Sequence, residues 1–186
     1  MMRRHPHAFL LAICLAALPA IAQVHRHDPL TQDESDALRE VSMEPERKLV
    51  LYLKYAQARM DALEKLRAEP HPENRGPQMR DLLADLKNIV DEMDRNIDSF
   101  ADQKLDFRKA LKAIIEGDGE FQTKLKQMKE AAKEPAIATE AREYEFALLD
   151  AIDAVDGDLD NAKDLLPLQE KAAAEAKARA KERGKR

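Results

Sequence analysis

The densest run of potential ligands in this chain is Asp156-Gly157-Asp158-Leu159-Asp160-Asn161, with Asp164 three residues further on. Carboxylates at alternate positions are what a calcium loop needs, because the backbone must wrap one ion in oxygens. Asp156, Asp158, Asp160 and Asp164 match the first, third, fifth and ninth positions of such a loop. Asn161 stands where the sharp turn wants glycine, and Pro167 where the bidentate glutamate belongs, so calcium binding is expected to be weak. The run also belongs to a ladder of Asp150, Asp153, Asp156, Asp160 and Asp164, and a second ladder comprises Asp94, Asp98, Asp102 and Asp106. Like charges one helical turn apart cost about 0.2–0.5 kcal/mol per pair. Such ladders suit divalent cations or a basic partner; the plainer alternative is a solvated face relieved by Arg95, Lys104, Arg108 and Lys163.

A second metal-type pattern is Gln23-Val24-His25. At a newly cleaved N-terminus, the amine, two backbone amides and the His25 imidazole make a square-planar set for Cu(II) or Ni(II). No resident cofactor is expected beyond these weak cation sites. Catalytic patterns are missing. His25, His27 and His71 fall in predicted loops. The sequence has no serine in a nucleophile elbow, no glycine loop for phosphate and no Glu-x-x-His pairing of the kind used by di-iron bundles. Carboxylates on solvated faces keep ordinary acidity and make poor acid–base catalysts. The chain is therefore expected not to be an enzyme.

The elements that would position these residues begin with an export signal. Arg3 and Arg4 precede an apolar stretch from Ala8 to Leu18, Pro19 breaks it, and Ala20-Ile21-Ala22 supplies a small-x-small cleavage site. The apolar stretch is shorter than the roughly 20 residues that span a bilayer. Residues 1–22 are thus expected to be cleaved, leaving a periplasmic or secreted protein with no membrane span. Cleavage removes Cys14, the only cysteine, so disulfides and thiolate zinc sites are excluded. Charged residues make up 36% of the chain and aromatics 4%, with no tryptophan, a composition of long solvated helices. Charge is uneven: residues 23–166 hold 22 Lys/Arg against 33 Asp/Glu, and residues 167–186 hold 7 against 3. An acidic body opposes nucleic-acid binding, which depends on neutralising phosphates.

Within residues 23–44, Thr31 and Glu34 form a capping-box pattern that opens a short helix to about Met43. The helical body is expected over 45–166, with Pro45 in the first turn of a helix reaching about Arg67. A loop is expected at 69–77, where Pro70, Pro72, Gly76 and Pro77 cluster. From Leu83 to Ala132 apolar residues recur at alternating steps of three and four, with Lys104 and Asp118 as the polar exceptions. The economical expectation is one long helix over 78–132, of about 82 Å, with a kink at Gly117 and Gly119. Pro135 is expected to open a last helix, and Pro167 to end it before a basic tail over 167–186.

The expected fold is all-α: an elongated antiparallel bundle with coiled-coil-like heptad packing around one long helix, or alternatively a compact four-helix bundle in which 78–132 folds back near Ser99–Asp102. The expected function is contact with another protein, or self-association through the Leu83–Phe100 and Leu111–Met128 seam, in the cell envelope. The alternatives are a cation-binding envelope protein, or a tether whose basic tail touches anionic lipid or cell-wall polymer.

Overall fold

The computed structural model describes residues 28–70 and 73–183, and among these every regular element is helical. The signal region, Gln23-Val24-His25, His27 and His71 lie outside the described residues. Helix α1 spans Gln32–Glu40, α2 Pro45–Ala68, α3 Arg75–Asp102, α4 Arg108–Ala131, α5 Ala138–Ala141 and α6 Glu145–Arg183.

The capping box forms as its residue types require. Thr31 Oγ1 accepts from the Glu34 amide at 3.2 Å, and Glu34 Oε2 accepts from the Thr31 amide at 2.9 Å. Pro45 sits in the first turn of α2, where its missing N–H costs nothing. The stripe Leu49, Ala56, Met60 and Leu63 is fully buried.

Helices α2, α3, α6 and α4 form a ring in that spatial order, with α3 and α4 on one diagonal and α2 and α6 on the other. Side-chain pairs fix the directions. On α2, Val50 and Leu51 lie beside Ala110, while Glu64 pairs with Lys124 at 2.9 Å, so α2 and α4 run the same way. Asp156 meets Gln122 at 2.7 Å and Glu170 meets Lys112 at 2.8 Å, so α6 opposes α4. Glu143, just before α6, approaches Gly76, and Asn161 reaches Asp94, so α6 runs parallel to α3. The compact four-helix bundle is thus the form adopted, and the elongated one is not.

The chain reverses at Gln103–Phe107 rather than at the two glycines. Lys104 takes a left-handed backbone, φ 58°. Its N–H donates to Ala101 O at 2.9 Å, and the Leu105 N–H donates to Phe100 O at 3.0 Å. These are the two hydrogen bonds of a Schellman stop, which satisfies carbonyls left open at a helix end. The segment then crosses the bundle diagonal, and Phe107 buries against Phe100 with ring centroids 6.1 Å apart. Meanwhile α4 runs unbroken through Gly117 and Gly119.

Two proline expectations also change. Pro135 lies in the turns before α5 rather than opening the last helix. Pro167 stands inside α6, which continues to Arg183. A helical proline frees the carbonyl four residues back; Pro167 and Lys163 are both exposed, so water can bond that carbonyl.

Candidate functional site

At mid-bundle the apolar core is interrupted by two carboxyl groups. Asp118 of α4 is 0% exposed and Asp158 of α6 is 1% exposed. Each occupies a slot that its helix otherwise fills with apolar side chains: Ile114 and Phe121 flank Asp118, and Val155 and Ala162 flank Asp158. None of the four carboxyl oxygens meets a donor from elsewhere in the described residues. Asp118 and Asp158 reach each other, and Asp158 also reaches the Asp94 carboxyl; the contact between the pair becomes a hydrogen bond when one of the two carries a proton.

Burial raises both pKa values well above the usual carboxylate range, because charging a carboxylate in the core forfeits its hydration. The hydrogen bond then divides the pair, holding Asp118 lower and Asp158 higher, and the nearby charge of Asp94 raises both. Two such groups titrate as one unit. Asp94, on α3, is itself held by the Asn161 amide, whose Nδ2 donates to Asp94 Oδ1 at 2.6 Å and to Asp98 Oδ1 at 3.0 Å. From α2 the layer receives Leu53, whose Cδ1 would lie 2.7 Å from a Cβ at Gly117. Gly117 thus lets α2 approach α4 beside the acidic pair.

The residues read as a calcium loop are dispersed. Helix α6 runs straight through them, so successive alternate positions turn away from one another. Asp158 points into the core, Asp156 accepts from Gln122 Nε2 at 2.7 Å with Lys126 at 3.7 Å, and Asp160 and Asp164 face solvent. Among the described residues no group of three or more His, Cys, Asp or Glu side chains is placed to hold a metal ion. The ladder on α3 is also cut, since α3 ends at Asp102 and Asp106 instead pairs with Arg108 in the following turn at 2.7 Å.

The association seam is occupied from within. Leu83, Leu86, Met93, Ile97, Leu111, Phe121 and Leu125 are fully buried in the bundle core. The surface offers something else. Helix α6 has 39 residues against 24 in α4, about 58 Å against 36 Å, and its excess extends beyond the α3–α4 turn. Gln169 ties that turn to α6, its Nε2 donating to Leu105 O at 2.9 Å and its Oε1 accepting from Phe107 N at 3.2 Å. Past Glu170, the ion pair found is internal to the arm, Arg179 with Glu175. At its base Leu105, Leu165, Leu168, Ala172 and Ala176 line an open, mainly apolar groove of roughly 370 Å³. Leu168 is 63% exposed there. No described helix is long and apolar enough to cross a membrane.

No protein-family model, curated protein or solved structure matches this chain, so its own residues carry the functional reading.

Proposed function

We propose that this is an exported, non-enzymatic helical protein of the cell envelope that acts by protein contact, with the projecting arm of α6 as its contact element. The observation that carries this reading is the continuation of α6 to Arg183 with almost every residue after Glu170 exposed. A helical segment lacking tertiary packing is marginal by itself in water; this one gains stability when another surface covers it. Lys171, Lys177, Arg179, Lys181 and Arg183 suit an acidic partner, and Leu168 beside the alanine face offers an apolar anchor. The partner class is therefore an acidic protein surface with an apolar side chain at its centre; the acidic body of a second copy has that charge. The non-enzymatic part rests on the acidic pair being enclosed, where no substrate can touch it. Export rests on the arginine-plus-apolar leader and its Ala20-Ile21-Ala22 site.

The test places a photo-crosslinking residue at Ala176 in the full-length protein expressed in its envelope, with a second at Val50 on the opposite helical layer as a control. One discrete protein adduct at Ala176, lost when Lys177 and Arg179 are changed to glutamate, is the expected result. A basic arm also suits an anionic surface. If adducts form only with lipid or cell-wall polymer, and deleting residues 171–186 abolishes sedimentation with anionic vesicles, the tether reading replaces the protein-contact one. If neither change alters any association, the arm is not the contact element.

A further inference from the structure

Asp118 and Asp158 oppose each other from antiparallel helices at the level where α4 and α6 pack. Among the described residues, all four of their oxygens lack a donor other than the pair itself. No positive charge from the described residues is among the causes that act on either carboxyl. Helix α3 contributes Asp94, already engaged by Asn161 together with Asp98. Helix α2 contributes Leu53. On α6 itself, Asp156 is turned outward to Gln122 and Lys126, while Asp160 is exposed. Two ionised carboxylates cannot coexist in that layer without mutual repulsion and an unpaid loss of hydration. Removing one negative charge turns the same contact into a strong charge-assisted hydrogen bond between helices.

We propose that Asp118 and Asp158 form a proton-binding clamp, in which one shared proton fastens α6 to α4 and its loss at alkaline pH loosens the helix that carries the arm. The clamp stands on the enclosure and mutual placement of the two side chains, and it does not depend on what the arm contacts. The raised pKa values agree with it: burial is the largest cause at both residues, and Asp94 adds to it. The sign of the resulting pH dependence follows from linkage. The unfolded chain releases these protons near the ordinary value of 3.8, whereas the native pair keeps at least one well above it. The stabilisation is therefore complete below that value and is lost as pH rises toward the native pKa values. Most buried carboxylates, paired with cations, show the opposite trend.

The test is thermal melting of the mature chain from pH 5 to pH 9 in EDTA, for the wild type and for Asp118→Asn and Asp158→Asn. The amide keeps a hydrogen bond to the remaining carboxylate but cannot ionise. Wild-type Tm is expected to fall as pH rises, and each asparagine variant to melt above the wild type at pH 8–9 with a shallower slope. A flat or rising wild-type profile overturns the clamp. So does a Ca²⁺-dependent rise in wild-type Tm at pH 8 that both variants lose, which would make the pair a metal site. An infrared band from a protonated carboxyl at pH 7 keeps the proposal testable if a variant misfolds. Its presence in the wild type is expected, and its absence sinks the idea.

Discussion

Two of the polar contacts that fasten helices in this bundle are built from opposite materials. Arg59 of α2 grips Glu34 of α1 through two hydrogen bonds of 2.7 and 2.6 Å and also donates to the Pro29 carbonyl at 2.6 Å. The two side chains are 13% and 16% exposed, so the contact is partly dry. Its charges are opposite, and Glu34 further completes the capping box. The hydrogen bond from Arg59 therefore leads in holding the Glu34 carboxyl below its usual range. The Asp118–Asp158 contact is drier, has one sign of charge and depends on a proton. The comparison teaches that this fold fastens its edge helix with charge and its central pair of helices by withholding charge. A carboxyl group takes either role according to what surrounds it.

The largest expected effect comes from breaking the first contact. Arg59→Ala strands Glu34 in a partly buried position and frees α1, costing about 2–3 kcal/mol, since breaking a buried ion pair leaves an uncompensated charge. Chemical denaturation of the protein reads it out as a lower midpoint. Arg59→Met, which keeps the stem packed, isolates the charge from the packing. If both variants match the wild type, the strap contributes no stability and the comparison fails at its first member.

The second expected effect sets the two contacts against each other on one pH axis. Arg59 lowers the pKa of Glu34, so its contribution is present above the ordinary value of 4.5 and disappears as pH falls through the native one. The acidic pair contributes at low pH and loses its contribution as pH rises. From these two contacts alone, stability should peak near the ordinary carboxylate values, where the Glu34 contribution is nearly complete and the pair has only begun to lose its own. Arg59→Met should flatten the acid limb and Asp118→Asn the alkaline limb, each leaving the other limb in place. One variant flattening both limbs would mean that the contacts are not independent.

A third effect concerns the turn that brings α4 opposite α6 at all. Lys104 pays for its left-handed backbone as a residue with a Cβ, at about 1 kcal/mol. Lys104 is exposed, so Lys104→Gly should raise stability by about that amount without touching either contact. An equilibrium melt checks it, and no gain would mean that the lysine side chain compensates in the turn.

That turn also marks where the sequence stopped being legible. The capping box, the start of α2 and the apolar stripes were readable because each depends on side chains local to one helix. The reversal was readable only as the alternative fold-back near Ser99–Asp102, and not as the preferred reading. Lys104 occupies a stripe position and carries none of the glycine that normally signals a left-handed stop, while Gly117 and Gly119 offered a false break. Their real circumstances are tertiary: Gly117 admits Leu53 from α2, and Gly119 has open space. The acidic pair was half visible. Asp118 stood out on its stripe, but Asp158 was absorbed into an acidic ladder and a calcium-like spacing. The usable signal was that Ala151, Val155, Asp158 and Ala162 continue one stripe at steps of four, three and four. Leu159 is buried beside Asp158, so the carboxyl sits in the core next to an apolar neighbour. Which helix it would meet there depends on the diagonal crossing, and no local spacing encodes that.

The smallest expected effect probes whether the glycines around the pair serve it. A Cβ at Gly119 or at Gly157 would meet nothing within 4 Å. Alanine at either position should therefore gain about 0.5–1 kcal/mol of helix propensity. Gly117→Ala should gain less, because Leu53 must turn aside. Gly119 and Gly157 adjoin the two clamped aspartates in sequence, so stiffening the helix there also tests how the pair releases. If the alkaline fall in Tm keeps its slope in Gly119→Ala and only the whole curve rises, the clamp opens by moving helices as rigid bodies. If the slope shrinks, release depends on local fraying of α4, and the glycine belongs to the clamp rather than to the scaffold.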